Sequence, residues 1–582
     1  MCLFKTAPRR SCLHFGSALF FSTLAFVPHT SAQTPPDSGT ILRQIDPNPL
    51  ALPDKSPPAI QLPRETRPAL TDKSGITITV SGYRITRSSA FSEAQLLPLL
   101  ADSVGNALNL QELDAIADRI TRFYRDHGFL VARAYLPAQE VEAGVVEIAV
   151  IEGFYSAFSV QNRSLLGSDH LARYLVPLQQ ANLIREAELE RSLLLIGDAI
   201  GVGAITPTLS PGDQIGGSSL NVDLGEAARF SGSVDLDNYG GKTNGERRLG
   251  FVFNINSPYG RGDQFSVRGI FTPEFMQGGG DPHGKTNFGR VSYATPLGHR
   301  GLRAGIAYSD LRYKIGDPFA ALDASGDAKI TSAYLAYPFI RSRRANLYGQ
   351  LAYDGKRLID SSFANQVLLG VIDVEKKINA VSWALTGDGQ DGFIGGGRTR
   401  YGLAFTVGDL KIQSAGARSD DDANLRTHGN FSKVYLNVER DQRLGETWTV
   451  HVAASAQESN KNLDPAEEFP LAGPHGVRAF AQGYLSGDRG YLATVELRKT
   501  FENAQWLQLL AFFDHGGVRI DREPLPSNDD NNRTLNGTGF GFMAALPHNF
   551  ALRFHHAWRV NSDEPAKREA QHQTWFQAVK YF

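Results

Sequence analysis

Residues 228–238 read ARFSGSVDLDN and residues 247–260 read RRLGFVFNINSPYG. In the first stretch Phe230, Gly232, Val234 and Leu236 alternate with Ser231, Ser233, Asp235 and Asp237. In the second, Leu249, Phe251, Phe253 and Ile255 alternate with Arg248, Gly250, Asn254 and Asn256, and Val252 is the exception. Successive side chains of a strand point to opposite faces, so each stretch predicts a strand with one apolar and one polar side. NLYGQLAYD (346–354) and ALRFHHAWRV (551–560) continue the habit less cleanly, with His556 among apolar neighbours. Turn clusters such as SPYGRGD and SNDDNNRTLNGTG separate the runs.

Backbone groups in lipid must all be paired, so only helices and closed barrels cross a membrane. No segment beyond the N-terminal leader offers a spanning helix; SLLLIGDAIGVGAI is too short and contains Asp198. A barrel strand needs only about 9–11 alternating residues, which lets a chain of slightly polar mean hydropathy be integral to a membrane. The roughly 355 residues after Ala227 suffice for about 14–18 such strands, and we expect about 16, antiparallel. A soluble β-sandwich carries the same alternation and stays the alternative fold at this point.

The N-terminus sets the compartment. MCLFKTAPRRSC is a cationic leader, LHFGSALFFSTLAFV an apolar core, and PHTSAQ a small-residue approach to Ala32. This order predicts a secretory signal over residues 1–32. Both cysteines, Cys2 and Cys12, lie within it, so the mature chain has no disulfide and no thiolate ligand. The formal net charge is −2, which offers no basic field for nucleic acid.

Residues 33–73 contain GTILRQI, a candidate short helix, and a proline-rich tether. From Gly75 the texture becomes mixed. ITITVSGYRIT reads as a strand, and NLQELDAIADRITRFYRDHG as an amphipathic helix capped by Asn109 with Glu112 and ended by Gly128. The strands FLVARAYLP and GVVEIAVIEG follow, and a second unit of similar make-up begins near Tyr155. Two α+β modules are therefore expected, 74–152 and 153–226, followed by an all-β barrel over 227–582.

This order resembles the TpsB transporters of two-partner secretion, within the superfamily of outer-membrane barrels that carry POTRA domains. Three stretches carry the resemblance. Residues 235–267 (DLDNYGGKTNGERRLGFVFNINSPYGRGDQFSV) are similar to the family's first barrel hairpin. Residues 337–360 (YPFIRSRRANLYGQLAYDGKRLID) are similar to its mid-barrel segment, and 476–497 (GVRAFAQGYLSGDRGYLATVEL) to its luminal loop. The resemblance implies periplasmic modules on an outer-membrane pore. Such a pore exports a large partner exoprotein of adhesin or haemolysin type, recognised through its N-terminal secretion domain. It implies no cofactor, no metal and no enzyme activity. A general barrel-assembly factor or a passive porin is the alternative.

The same resemblance assigns the loop tetrad to Val477, Arg478, Ala479 and Phe480, and an acidic partner to Asp514 in a Phe512-x-Asp514 motif. Removing one member of a well-buried pair costs about 3–5 kcal/mol, and a hydrated lumen would lower that figure. Ala479 stands where the family has glycine, so the loop must keep ordinary backbone geometry there or carry strain. The terminal Phe582 fits the signal read by barrel assembly machinery, although Lys580 shares its face. The residues of GTILRQI leave its place open, and the resemblance suggests a plug for the pore. The modules are expected to bind client by adding it as a strand. The reading assigns no phosphate-binding loop, and takes the client's folding outside as the energy source. His555 and His556 lack the spacing of a helical zinc pair, and Arg261–Gly262–Asp263 reads as turn chemistry rather than an adhesion motif.

Overall fold

The computed structural model describes residues 35–45, 76–277, 284–524, 531–560 and 571–582. The expected leader, and the tether beyond Ile45, lie outside them. The first module wraps helix Leu110–Asp126 onto a sheet in which Val145–Ile151 is central, parallel to Gly82–Thr86 and antiparallel to Arg133–Tyr135. Asn109 Oδ1 accepts from the Glu112 amide at 2.9 Å while Glu112 Oε2 accepts from the Asn109 amide at 2.8 Å, satisfying two end donors reciprocally. Gly128, at φ +85°, ends the helix. Ile116, Ile120 and Tyr124 then pack on Ile85, Val146 and Ile148.

ITITVSGYRIT, read as one strand, is two. Thr77–Thr79 pairs with Ala107–Asn109, while Gly82–Thr86 pairs in the main sheet. Between them the Val80 amide donates to Asn106 O and the Ser81 amide to Gly144 O, so the chain changes partner within two residues. The strand expected over FLVARAYLP shortens to Arg133–Tyr135.

Glu152 ends the module. Its carboxylate accepts from the Ser89 and Ala90 amides and from Tyr124 Oη. Burial opposes its charge, but bonds from Ser89, Ala90 and Tyr124 outweigh burial and hold the carboxyl below its usual range.

The second module has the sheet order Phe154–Asn162, Gly217–Leu224, Ile205–Pro211, covered by helices Ser168–Gln179 and Glu186–Asp198. Its core is Leu171, Leu175, Leu189, Leu193 and Leu220.

From Phe230 the chain forms a closed barrel of sixteen antiparallel strands. These run from Phe230–Asp237 and Arg248–Asn256 to Phe550–Arg559 and His572–Tyr581. Among the described residues no helix is long and apolar enough to cross a membrane. Alternation is carried through as expected. On strand Asp373–Asp391, Trp383 and Leu385 point outward, and Ile378, Ala380 and Ala384 inward. The barrel closes where Gln577–Tyr581 pairs with Ser233–Asp237 and Phe582 exchanges backbone bonds with Gly232. A Cβ at Gly232 would come 2.7 Å from the Phe582 ring, so the glycine in the first apolar face makes room for the last residue. Lys580, outward on the same strand, lies 4.8 Å from the Phe550 ring and donates to His548 O, carrying its charge to the rim.

Candidate functional site

The end of the barrel nearer the modules has short turns; Glu502 and Asn503 alone join two strands. The far end carries long connections, of which residues 460–488 are the longest. This loop folds back into the lumen instead of standing in solvent. A two-residue pairing of Phe469–Pro470 with Ser486–Gly487 forms its stem. Leu471, Val477, Ala479 and Phe480 are fully enclosed against Leu510, Phe512 and Leu535 of the wall. The wall supplies glycines where the loop leans on it: a Cβ at Gly516 would meet Leu471 at 2.5 Å, and one at Gly537 would meet the Ala479 methyl at 2.8 Å.

At the tip the structure brings Arg478 and Asp514 together. Arg478 Nε donates to Asp514 Oδ2 at 2.9 Å and Nη2 to Oδ1 at 2.7 Å, a fork-to-fork arrangement. The Arg478 amide adds a third bond at 3.1 Å and Thr494 Oγ1 a fourth at 3.0 Å. Arg478 retains 5 % exposure and Asp514 none, so this part of the lumen is dry rather than hydrated. The guanidinium carbon sits 3.4 Å from the Phe512 ring centroid, and Trp575 Nε1 donates to Arg478 O at 2.8 Å. Ala479 keeps an ordinary negative φ.

Glu496 was not read from the sequence. Arg478 Nη1 donates to Glu496 Oε1 at 2.6 Å, giving the guanidinium a second carboxylate. Register places Glu496 opposite Phe512 and Thr494 opposite Asp514, so inward alternation over ATVELRKT is the signal that points to it. From there opposite charges follow one another along the wall. Arg498 reaches Glu496 at 2.7 Å and Asp441 at 3.3 Å, and Arg400 reaches Asp441 at 3.2 Å and Glu439 at 3.3 Å.

Helix Ser38–Ile45, the GTILRQI segment, lies in the lumen beside the loop. Ile41, Leu42 and Ile45 share a core with Phe288, Leu311, Ile378 and Leu410 of the wall and with Leu463 and Ala466 of the loop. Asp360 accepts from the Ser38 amide at 2.8 Å and from Ser38 Oγ at 3.0 Å. At the helix C-terminus, Arg248 and Arg268 donate to Gln44 O and Ile45 O at 3.5 and 3.3 Å. Between helix and loop, Lys356 and Lys433 flank Glu467 at 2.5 and 2.8 Å, and Lys376 joins Asp464 at 2.8 Å to Asp37 at 3.5 Å. Below the helix a cavity of about 740 Å³ runs from Leu42, Arg43 and Glu467 to Tyr174, Leu195 and Asp198 of the second module. Its walls include Ala380, Ser382, Ala404 and Thr406.

The second module is fastened at the near mouth. Asp198 accepts from Arg341 Nε and Nη2, both at 2.8 Å, and Arg191 donates to Pro338 O at 2.8 Å. Asp263 of the Arg-Gly-Asp triplet is fully buried, accepting from Tyr293 Oη at 2.9 Å, and the Gly167 amide binds Gly260 O in the same turn.

His555 faces inward against Phe512, while His556 faces outward beside Phe540 and Trp558. The two histidines therefore share no ligand position.

The reading of no phosphate-binding loop needs a correction, because GGDPHGKT (279–286) spells the Gly-x-x-x-x-Gly-Lys-Thr pattern. Lys285 and Thr286 open a barrel strand rather than a helix, and buried Thr286 Oγ1 donates to Asn244 O. The helix N-terminus that cradles phosphate in that motif is thus not formed there.

Comparison with known proteins places these features. Residues 216–543 match the family described as haemolysin secretion/activation protein ShlB/FhaC/HecB, and residues 78–153 match the ShlB-type POTRA domain. The heme/hemopexin transporter protein HuxB of Haemophilus influenzae is 26% identical over 494 residues, covering 84% of each chain. The outer membrane transporter CdiB of Escherichia coli is 24% identical over 485 residues, covering 81% of this chain and 78% of that one. The solved structure of CdiB from Escherichia coli superposes with a TM-score of 0.70 at 20% identity, covering 89% and 93% of the two chains.

Proposed function

The chain belongs to the haemolysin secretion/activation family, and from that membership and the lumen just described we propose how it passes its client. It is an outer-membrane transporter of two-partner secretion, with its barrel in the outer membrane and its POTRA region in the periplasm. We take 74–152 and 153–226 as two receiving modules and 227–582 as the conduit. The client is a large exoprotein of adhesin or haemolysin type, and the similarity to a protein named heme/hemopexin transporter adds a secreted haem-acquiring protein to that class.

Strand Phe154–Asn162 is the receiving edge. Among the described residues it pairs on one side only, with Gly217–Leu224, and it exposes Ser156, Ala157, Ser159 and Gln161. The opposite edge, Ile205–Pro211, contains Pro207 and Pro211, which cannot donate to an added strand. An unfolded N-terminal secretion domain laid along Phe154–Asn162 would satisfy free backbone groups without demanding a particular sequence.

The observation that carries the route is the cavity. It opens beside this module at Asp198 and ends beneath helix Ser38–Ile45, so displacing the helix extends it outward. The loop stays pinned by Arg478. A photo-crosslinker at residue 159 should capture the client's secretion domain during export, and one at residue 208 should not. Equal capture at both positions, or capture at neither, removes the receiving edge.

A further inference from the structure

The outer surface of the barrel is not uniformly smooth. Strands Ser325–Arg341, Ala345–Ser361, Asp373–Asp391 and Gly397–Ile412 bound a groove of about 490 Å³. Phe339, Leu351, Trp383, Leu385, Leu403 and Phe405 line it, and all six are exposed on the lipid-facing side. Its cause is Gly349, which register places between Tyr337 and Leu385. The Phe339 ring folds over this glycine, where a Cβ would meet it at 2.4 Å, and leaves a notch between the neighbouring side chains. Trp383 and Phe405 stack at 6.1 Å along the opposite lip.

Leu351 lies six residues inside the start of its strand at Ala345. At about 3.3 Å per residue and a tilt of about 40°, that is roughly 15 Å from the rim. The groove is thus at acyl-chain depth in the periplasmic leaflet, about halfway through a core about 30 Å thick.

The rim directly below it is cationic. Arg300 is exposed in the turn 297–302 that opens the neighbouring strand Arg303–Lys314, Arg344 in the turn 342–344 that closes strand Ser325–Arg341, and neither guanidinium has an ion-pair partner among the described residues. Their neighbour Arg343 is engaged by Glu190. The next turn exposes Phe393 and Ile394, with Ile394 held at φ 42°, ψ 58°, a strained conformation for a β-branched residue. Gln442 Nε2 donates to the carbonyls of Phe393, Ile394 and Gly396 and holds this turn. Displaying two large apolar side chains beside arginines suits a membrane interface.

We infer that this face is a binding site for one anionic phospholipid of the periplasmic leaflet, its phosphate at Arg300 and Arg344 and an acyl chain in the groove. The groove is continuous with the barrel's lipid-facing belt, and charge complementarity selects an anionic headgroup over a zwitterionic one. The strand pair beneath the site includes Arg341, which fastens the second module through Asp198, so the lipid braces the wall on which that module is docked.

The full chain, reconstituted in nanodiscs, tests this through Trp383. Dibrominated phosphatidylglycerol or dibrominated phosphatidylcholine is titrated into a non-brominated phosphatidylcholine background. The quenching lost in Trp383→Phe isolates the contribution of Trp383. Phosphatidylglycerol should quench it at a mole fraction about tenfold lower than phosphatidylcholine does, the scale expected for two arginines near a headgroup. The Arg300→Gln/Arg344→Gln double variant should erase that difference while leaving quenching by phosphatidylcholine unchanged. Equal quenching by the two lipids in the wild type, or an unchanged preference in the double variant, overturns the site. Light scattering that shows two copies of the chain per disc, with Trp383 shielded from both lipids, overturns it in favour of a second copy.

Discussion

Two segments occupy the outer half of the lumen, and they are held there by different physics. Helix Ser38–Ile45 rests on three apolar side chains, a cap at Asp360 and long bonds to its last carbonyls. Loop 460–488 is held by a guanidinium shared between two buried carboxylates, with aromatic and apolar packing around it. Three buried aliphatic side chains contribute about 2 kcal/mol each, and ordering eight residues at about 1–2 kcal/mol each cancels that gain. Breaking the Arg478 cluster leaves buried charge unpaired. On the proposed route the helix is the occupant that leaves, and the loop stays as part of the wall.

The largest effect should come from fixing the helix. The chain's only cysteines are Cys2 and Cys12, so a Ser38→Cys/Asp360→Cys pair can be oxidised selectively. Because the Ser38 amide already touches the Asp360 carboxylate at 2.8 Å, a disulfide there should form readily. Secretion of the client should fall to background under oxidation and return on reduction. Undiminished secretion with the bridge formed would show that the helix need not leave the lumen for the client to pass.

Next comes the wall. Arg478→Ala leaves Asp514 buried without its cation and Glu496 with Arg498 alone, a loss of about 3–5 kcal/mol. It should cut secretion at least tenfold and expose residues 473–488 to protease while the barrel stays heat-modifiable on gels. Arg478→Lys should fall between the two, since an ammonium cannot span both carboxylates as a planar fork does. If the loop of Arg478→Ala stays as protease-resistant as the wild type, the guanidinium is not what holds it.

Gly39 separates the two segments. A Cβ there would come 2.5 Å from Ala466 N, so Gly39→Val pushes the helix off the loop without touching Arg478. Overpacking of this kind costs about 1–3 kcal/mol. The variant should raise open-channel conductance in planar bilayers several-fold with the loop still protected. Conductance at the wild-type level would mean that the helix is held more firmly than its contacts suggest.

Much of the barrel was legible because its code is local. Phe230, Val234 and Leu236 had to face one way, and the outward positions carry through to Phe582. The break in ITITVSGYRIT was not legible, since it is decided by Asn106 and Gly144, partners distant in sequence. The tetrad and its acid came from resemblance rather than from spacing, and the structure places them within hydrogen-bond distance. Glu496 escaped notice because only strand register brings it under the loop. The dryness of the site was misjudged for the same reason. A lumen looks wet in a list of polar residues, until a loop that carries Leu471, Val477 and Phe480 is packed against it.

The smallest effect should come at the alanine that stands in place of the family's glycine. Ala479 has no strained backbone, so the methyl must be accommodated by space, and Gly537 supplies it. A Cβ at residue 537 would approach the Ala479 methyl to 2.8 Å, closer than such atoms come. Gly537→Ala should therefore lift the tip and lengthen the bonds from Arg478 to Asp514, costing about 1 kcal/mol. Ala479→Gly alone should cost little beyond backbone freedom in the unfolded chain. Combined, the two should be nearly neutral, because one methyl replaces the other across the same gap. A double-mutant cycle on protease accessibility of the loop measures that coupling. Strictly additive effects would show that the tip does not sense the wall at Gly537, and that charge alone sets its position.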